Sequence, residues 1–271
     1  MALPDFLIVG AMKCGTSTLH AQLAAQPGVF MTTPKEPNFF SDDAVFARGR
    51  AWYEGLFAAA GAGDLKGEAS THYTKLPTYP ETVPRMAALL ARPKIIYLVR
   101  DRMKRALSHY AHDWTMGKAG HDAEAAFATH PEFVEYSRYA MQVAPYLDAF
   151  GRDRVLVVRT EDMQADPQAL LSRVGAFLGR EGFCWQTHVA AENRSMDRSR
   201  RLPFHELLVE SQMATALRRA LVPKPVRTWI RTARAPKPPP QLSPGLSARL
   251  KAVFAKDRDD LQALFPGQEL L

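Results

Sequence analysis

The sequence has little of what would place the protein among secreted, disulfide-stapled scaffolds. Only two of its 271 residues are cysteine, Cys14 and Cys184, and two cysteines cannot form a disulfide framework. Cys14 lies inside a glycine-containing loop that a crosslink would obstruct. We therefore expect both thiols to be reduced, as they are in a reducing compartment.

Long apolar runs are also lacking. No stretch approaches the roughly 20 apolar residues that cross a membrane, and the apolar run at residues 6–9 is too short for a signal peptide. These two observations predict a cytoplasmic protein without a membrane span. The eight histidines show no close His-x-His spacing and there is no Cys-x-x-Cys pair, so we expect no metal site.

Positive charge is present in excess, since 35 basic residues face 28 acidic ones and the net charge is +7. An excess of this sign favours an anionic ligand. Nucleic-acid binding is supported by charge alone, with no recognised motif, and is not expected. The hydrophobic content of 46% is ample for a core, and the simplest prediction is one domain over residues 1–271.

Short apolar runs alternate with helical patterns along the chain. Strands are predicted at residues 5–9, 94–99 and 154–158, with a weaker candidate at 65–70. Helical spacings follow the first three runs. This order predicts an α/β fold of three layers, with a central parallel sheet flanked by helices and a phosphate-binding loop of the P-loop kind.

The segment 218–244 differs in composition from the rest. It holds seven prolines among seven lysines and arginines, so it cannot form one continuous helix. We predict a mobile basic loop, and the sequence does not choose between a substrate lid and a solvated linker. A helix is predicted after it, with one apolar face formed by Leu246, Leu250, Val253, Phe254, Leu261 and Leu264.

The stretch GAMKCGTST follows the first predicted strand. Gly10 and Gly15 have the spacing of a phosphate-binding loop, but the lysine stands between them, at Lys13, and not after the second glycine. The Lys-Ser/Thr pair whose hydroxyl holds Mg²⁺ is therefore lost. The ammonium and the backbone N–H groups at the start of the following helix remain suited to a phosphate that needs no metal. The predicted ligands are Lys13, Cys14, Gly15, Thr16 and Ser17.

A second anion site is predicted at the end of the strand 94–99. Arg100 ends that strand, and Ser108 lies about two helical turns further on. An arginine at the carboxyl end of a parallel strand suits a phosphate bound in the crevice there. Two separate phosphate sites without a metal indicate a nucleotide that carries phosphates at both its 5′ and 3′ positions.

Four stretches together carry a resemblance to a known family. They are GAMKCGTST, KEPNFF at 35–40, RDRMKRALSHY at 100–110, and ENRSMDRSRRLPF at 192–204. With them the chain resembles the sulfotransferases that use 3′-phosphoadenosine 5′-phosphosulfate (PAPS), in particular the branch that contains heparan sulfate sulfotransferases and many bacterial relatives.

The resemblance implies a role for each stretch. The first would bind the 5′-phosphosulfate, and Arg100 and Ser108 would bind the 3′-phosphate. Glu36 would be the catalytic base and Lys13 a catalytic cation. The late stretch would close over the nucleotide with Arg198, Arg200 and Arg201.

Other candidate bases are two histidines. His112 lies four residues after Ser108, on nearly the same helix face, and His72 is a weaker alternative. The chain departs from many eukaryotic members at Ala69, where they have lysine, and at 198–201, where basic residues replace a Lys-Gly-Arg element.

The activity that the resemblance implies is transfer of a sulfuryl group from PAPS to a hydroxyl, or an amine, with adenosine 3′,5′-bisphosphate (PAP) as the product. The acceptor is left open among carbohydrate, lipid, polyketide-like and phenolic molecules. Two alternatives stay open on the residues alone. One is a metal-dependent P-loop nucleotide kinase or NTPase, and the other is a non-catalytic module that binds polyanions through the basic region 198–237.

Overall fold

The fold is built on one five-stranded parallel sheet. The structure, a computed structural model, describes residues 3–189, 242–268 and 270. The strands lie in the order β2-β3-β1-β4-β5, and every neighbouring pair is parallel. Their bounds are β1 Phe6–Gly10, β2 Val29–Met31, β3 Leu65–Ala69, β4 Lys94–Val99 and β5 Val155–Arg159.

Helices connect these strands and cover the sheet. In chain order they are α1 Thr16–Ala24, α2 Asp43–Phe46, α3 Gly49–Gly55, α4 Thr82–Leu89, α5 Arg102–Thr115, α6 Ala123–Thr129, α7 Glu132–Glu135, α8 Tyr139–Phe150, α9 Thr160–Ala165, α10 Pro167–Leu178 and α11 Pro244–Leu264. Two 3-10 helices, Thr71–Thr74 and Arg152–Arg154, complete the described part.

The predicted α/β fold with a central parallel sheet is confirmed. All four strand predictions match observed strands to within about a residue at most ends. Strand β2 was not predicted, because three residues on a sheet edge are too few to show a pattern. The apolar face predicted for α11 is correct except at Val253, which is 42% exposed and points to solvent.

The two central strands explain why their sequences are continuously apolar. Every residue of β1 is buried, and so are residues 95–99 of β4. A parallel sheet covered on both faces leaves no face for polar side chains, so period-two alternation disappears. The core therefore lies on both sides of β1 and β4.

The position of β1 creates the crevice that matters for function. Its neighbours are β3 on one side and β4 on the other, so the chain leaves the carboxyl ends of β1 and β4 in opposite directions. Ligands of open α/β sheets bind outside the carboxyl ends of the strands at such a switch point. The loop at 10–15 and Arg100 both lie there.

The C-terminal helix is fastened to the helix that follows β4 by a buried ion pair. Arg102 Nε donates to Asp257 Oδ2 at 2.7 Å, and both side chains are about 95% buried. The same carboxylate accepts the backbone N–H groups of Tyr139 and Ala140, at 2.9 and 3.1 Å. Asp257 thus joins α11, α5 and the first turn of α8.

Replacing Asp257 by alanine should destabilise the fold strongly. The change would leave the Arg102 charge buried without a partner and two N–H groups without an acceptor, at a cost of about 3–5 kcal/mol. Urea unfolding measures it. Asp260→Ala removes a surface carboxylate paired with Lys256 on the same helix and should cost less than about 1 kcal/mol. Equal losses in the two variants would contradict the assigned role.

Candidate functional site

The loop after β1 can form only with glycine at its two ends. Gly10 has φ +149°, and a Cβ on it would lie 1.9 Å from Oγ1 of Thr74. That hydroxyl is fixed because it donates to the Val9 carbonyl at 2.9 Å. Gly15 has φ +85° and leads directly into α1. The glycine spacing seen in the sequence is thus a steric requirement of the loop.

The loop holds its lysine in a strained conformation. Lys13 has φ +72° although it is not glycine, and such residues cluster where a site over-determines the backbone. Its carbonyl accepts a hydrogen bond from Arg100 Nη1 at 3.1 Å. The backbone at Lys13 is therefore tied to the end of β4.

Two sets of N–H donors converge on the crevice. The N-cap of α1 is Gly15, which has no side chain to cap the helix, and the first N–H groups of a helix lack intrahelical acceptors. The Nε of Arg100 is buried and has no hydrogen-bond partner among the described residues. Unfilled donors at a helix N-terminus and on a buried guanidinium fit an anion with phosphate oxygens.

Within this loop, Cys14 turns inward. Its side chain is fully buried, with Sγ 3.6 Å from the Tyr139 hydroxyl, and its own N–H donates to the Ala11 carbonyl at 3.1 Å. Burial raises the pKa of the thiol to about 11. The contact of Cys14 with a ligand therefore stays a prediction. Thr16 and Ser17 lie in the first turn of α1.

The two residues predicted to bind the 3′-phosphate follow β4 along the chain, Arg100 directly after the strand and Ser108 within α5. Arg100 directly follows β4 and its backbone N–H points at the Tyr139 hydroxyl, 3.4 Å away. Ser108 lies on the half-buried side of α5, and Asp101 caps that helix by accepting the Lys104 N–H at 2.7 Å.

Glu36 occupies a second strained position, after β2. Its φ is +63°, and its N–H donates to the Ala69 carbonyl at 2.9 Å. Oε1 accepts from Lys35 Nζ at 2.6 Å and Oε2 from the Thr71 hydroxyl at 3.1 Å. Burial alone would raise the pKa of Glu36, but Lys35, Thr71 and the charge of Lys75 outweigh it and hold that pKa below its usual range.

The pKa of a second glutamate, Glu68, is shifted in the opposite direction. Glu68 on β3 is fully buried, and burial raises its pKa to about 8. Its carboxyl is therefore protonated at neutral pH. Of these two glutamates, only Glu36 carries an ionised carboxylate at neutral pH.

The candidate histidines differ in environment. Burial and the charge of Lys75 lower the pKa of His72 to about 4, and its ring stacks on Tyr79 with centroids 4.9 Å apart. His72 is neutral at pH 7 and a weak base. His112 lies on the half-exposed face of α5, one turn beyond Ser108, as the sequence predicted.

The buried face of α5 carries a polar chain that was not predicted. Arg105 is fully buried, and its Nη2 lies 3.4 Å from His109 Nδ1; His109 Nε2 lies 3.6 Å from Asp113 Oδ2. Burial and the Arg105 charge hold the pKa of His109 far below its usual value. The neutral ring thus accepts from Arg105 and donates toward Asp113. Burial raises the pKa of Asp113, and nearby cations that include Lys13 counteract it.

Two further features of the site escaped sequence reasoning. The Thr160 hydroxyl lies 2.8 Å from the Cys14 carbonyl and 3.0 Å from the Val99 carbonyl, so it joins the loop to β4 from the end of β5. Its position directly after an apolar strand was the available signal. Lys75 acts electrostatically on Glu36, and no pattern in the sequence indicates this role.

Some predicted site residues lie outside the described residues. These are Arg198, Arg200 and Arg201, together with most of the predicted basic loop, residues 218–241. The last residues of that predicted loop belong to α11, because Ser243 caps the helix and Pro244 begins it.

Two features are absent from the described residues. None of the helices in this part of the chain is long and apolar enough to cross a membrane. Across the same residues, no three or more histidine, cysteine, aspartate or glutamate side chains are grouped so that they could hold a metal ion.

Comparison with known proteins identifies the family. Residues 3–222 match the sulfotransferase domain family, so the chain belongs to it, and the resemblance seen in the motifs is confirmed. A curated relative is the mouse heparan sulfate glucosamine 3-O-sulfotransferase 3B1, which is 30% identical over 200 residues. That match covers 69% of this chain and 48% of the relative, so the chain spans about half the length of such relatives.

Solved structures agree with this assignment. A sulfotransferase from Alicyclobacillus acidocaldarius is 26% identical, with a TM-score of 0.64, over 100% of this chain and 98% of its own. Mouse sulfotransferase SULT7A1, solved in complex with PAP, is 19% identical with a TM-score of 0.51, over 96% of this chain and 87% of its own. The second likeness concerns the fold alone.

The two cysteines should differ sharply in reactivity. Cys14 is buried with a pKa raised to about 11, so almost none of it is thiolate at pH 8, whereas Cys184 is exposed. Iodoacetamide at pH 8, followed by intact mass and peptide analysis, should label Cys184 and leave Cys14 unmodified in the folded protein. Labelling of both should appear only after unfolding; rapid labelling of Cys14 in the native protein would refute its buried placement.

Proposed function

We propose that the chain is a PAPS-dependent sulfotransferase that acts as a single domain and transfers a sulfuryl group to a hydroxyl or, alternatively, an amine. One observation carries the proposal. The loop that carries Lys13 contacts Arg100, whose Nε has no acceptor among the described residues, at the carboxyl ends of β1 and β4. The hydrogen-bonding groups of the loop and of Arg100 suit phosphates without a metal.

The donor would lie along this edge of the sheet. The first turn of α1, with Thr16 and Ser17, would bind the 5′-phosphosulfate through backbone N–H groups and the positive end of the helix dipole. Arg100 and Ser108 would bind the 3′-phosphate. Arg198, Arg200 and Arg201 are proposed to close over the nucleotide, by resemblance alone.

PAPS supplies an activated sulfuryl group whose leaving group is a phosphate. Lys13 would stabilise the negative charge that grows on the bridging oxygen as the S–O bond breaks. The transition state is loose and in line, as in phosphoryl transfer, so positioning and charge do most of the work. The backbone strain at Lys13 is consistent with this placement.

Glu36 is the proposed base for the acceptor. Its carboxylate is ionised at neutral pH and held by Lys35 and Thr71, which fixes its direction at the cost of basicity. His112 and His72 are the alternatives. The name of the curated mouse relative specifies a glucosamine hydroxyl of heparan sulfate, which supports a saccharide acceptor for this chain.

The kinase alternative is weakened by the surroundings of Arg100. A metal-dependent kinase or NTPase needs an acidic residue at a strand end to hold Mg²⁺. The carboxylate in that place, Asp101, instead caps α5 by accepting the Lys104 N–H at 2.7 Å. This geometry favours a metal-free donor site.

Glu36→Gln separates catalysis from donor binding. The amide cannot accept the acceptor's proton, so kcat should fall by about 100-fold or more, while calorimetric affinity for PAP stays within about twofold.

Because the pKa of Glu36 is lowered, wild-type kcat should not fall between about pH 8 and pH 6 through protonation of this group.

Glu54→Gln is the matched control, since Glu54 is paired with Arg50 on the outside of α3. It should leave both kcat and PAP affinity unchanged. Full activity in Glu36→Gln would remove Glu36 as the base and direct attention to His112 and His72.

A further inference from the structure

Lys75 is held firmly beside the crevice by the backbone on either side of it. The Thr74 hydroxyl donates to the Val9 carbonyl, at the end of β1, at 2.9 Å. On the other side, the buried amide of Gln142 accepts the Leu76 N–H at 2.8 Å and donates to the Leu76 carbonyl at 2.9 Å. Lys75 is thus presented from a fixed scaffold next to the loop that holds Lys13.

Among the described residues, the ammonium of Lys75 has an aromatic ring beside it but no carboxylate or hydrogen-bond acceptor. Its side chain is half-buried, and Nζ lies 5.8 Å from the centroid of the Tyr136 ring. That ring is fixed in turn, because its hydroxyl lies 2.6 Å from the Thr78 hydroxyl. The Lys75 carbonyl accepts the Tyr79 N–H at 3.2 Å, but its side chain makes no hydrogen bond and no ion pair within 4 Å with any residue that the structure describes.

The charges around Lys75 do not supply the missing partner. The carboxylates that act electrostatically on Lys75 are Glu36 and Asp113, and two cations, Arg105 and Lys118, oppose them. Both oxygens of Glu36 already accept hydrogen bonds. Burial, which outweighs these charges, lowers the pKa of Lys75 to about 8. A half-buried ammonium in this state is stabilised by an added anion.

We propose that Lys75 binds a negatively charged group of the acceptor, a carboxylate or a sulfate ester, next to the hydroxyl that receives the sulfuryl group. This inference rests on the proposed function. It narrows the acceptor to molecules that carry an acidic group close to the reacting hydroxyl, and it makes Lys75 a specificity-determining residue.

The location of Lys75 favours binding of an anionic group of the acceptor over binding of the sulfuryl group of the donor. Glu36, the proposed base, is its first electrostatic partner, and a base must contact the acceptor hydroxyl. The donor's anionic groups are already matched by Lys13, Arg100 and the first turn of α1. Among the described residues, the Lys35 ammonium beside Glu36 is already paired with that carboxylate at 2.6 Å, which leaves Lys75 as the cation available to an acceptor anion.

The test measures the ionisation of Lys75 directly. Protein labelled with ¹³C,¹⁵N-lysine is titrated with pH, and the Lys75 Nζ resonance is assigned from its loss in Lys75→Met. Sodium sulfate and sodium acetate serve as probe anions at constant ionic strength. The titrations are done with the PAP complex and with the PAPS complex, and Lys118, which is exposed, is the internal control.

In both complexes, saturating sulfate or acetate should raise the apparent pKa of Lys75 by about one unit or more and leave that of Lys118 unchanged. Lys75→Met should keep wild-type affinity for PAP and for PAPS.

If no anion moves the pKa of Lys75, the proposal is wrong although PAP still binds. If only PAPS raises it, or Lys75→Met weakens PAPS and not PAP, Lys75 belongs to the donor site and the proposal is equally overturned. Failure of PAP to bind the wild type would instead contradict the proposed function itself.

Discussion

The hydrogen bond from Arg100 Nη1 to the carbonyl of Lys13, at 3.1 Å, is the direct contact between the two residues on which the proposed site depends. It joins the loop after β1 to the end of β4, the two places where the chain leaves adjacent strands in opposite directions. The strained backbone of Lys13 and the buried Nε of Arg100 are both fixed by it. Because these two residues carry the proposed donor contacts, the distance between the two anion sites is set by the register of the sheet.

Burial then assigns different protonation states to similar groups around this point. Glu68 is enclosed and keeps its proton, whereas Glu36 is held ionised by Lys35 and Thr71. His72 is neutral because its surroundings disfavour a cation. An ionised Glu36 beside the cations Lys35 and Lys75 suits a reaction between an anionic donor and a hydroxyl.

Much of this arrangement is predictable from the sequence, since its signals are local. The apolar strands β1, β4 and β5, the glycine spacing around Lys13 and the place of Arg100 after a strand all depend on neighbouring residues. The short edge strand β2 was missed because three residues carry no periodicity. Lys75 and the chain from Arg105 to Asp113 were missed because their meaning arises from tertiary packing, which brings residues from separate elements together. The outward-facing Val253 shows the same limit on a helix whose face was otherwise predicted correctly.

The most direct test of the central claim is a pair of calorimetric titrations of the purified protein. One adds adenosine 3′,5′-bisphosphate in EDTA, and the other adds ATP in a buffer that contains Mg²⁺ and no EDTA. The account predicts tight, metal-independent binding of the bisphosphate and weak binding of ATP, because the loop lacks the Lys-Ser/Thr pair that holds Mg²⁺ and Arg100 is proposed to bind a second phosphate. Tight binding of ATP that requires Mg²⁺, with weak binding of the bisphosphate, would contradict it and would make the displaced lysine a variant of an ordinary nucleotide-hydrolysing loop.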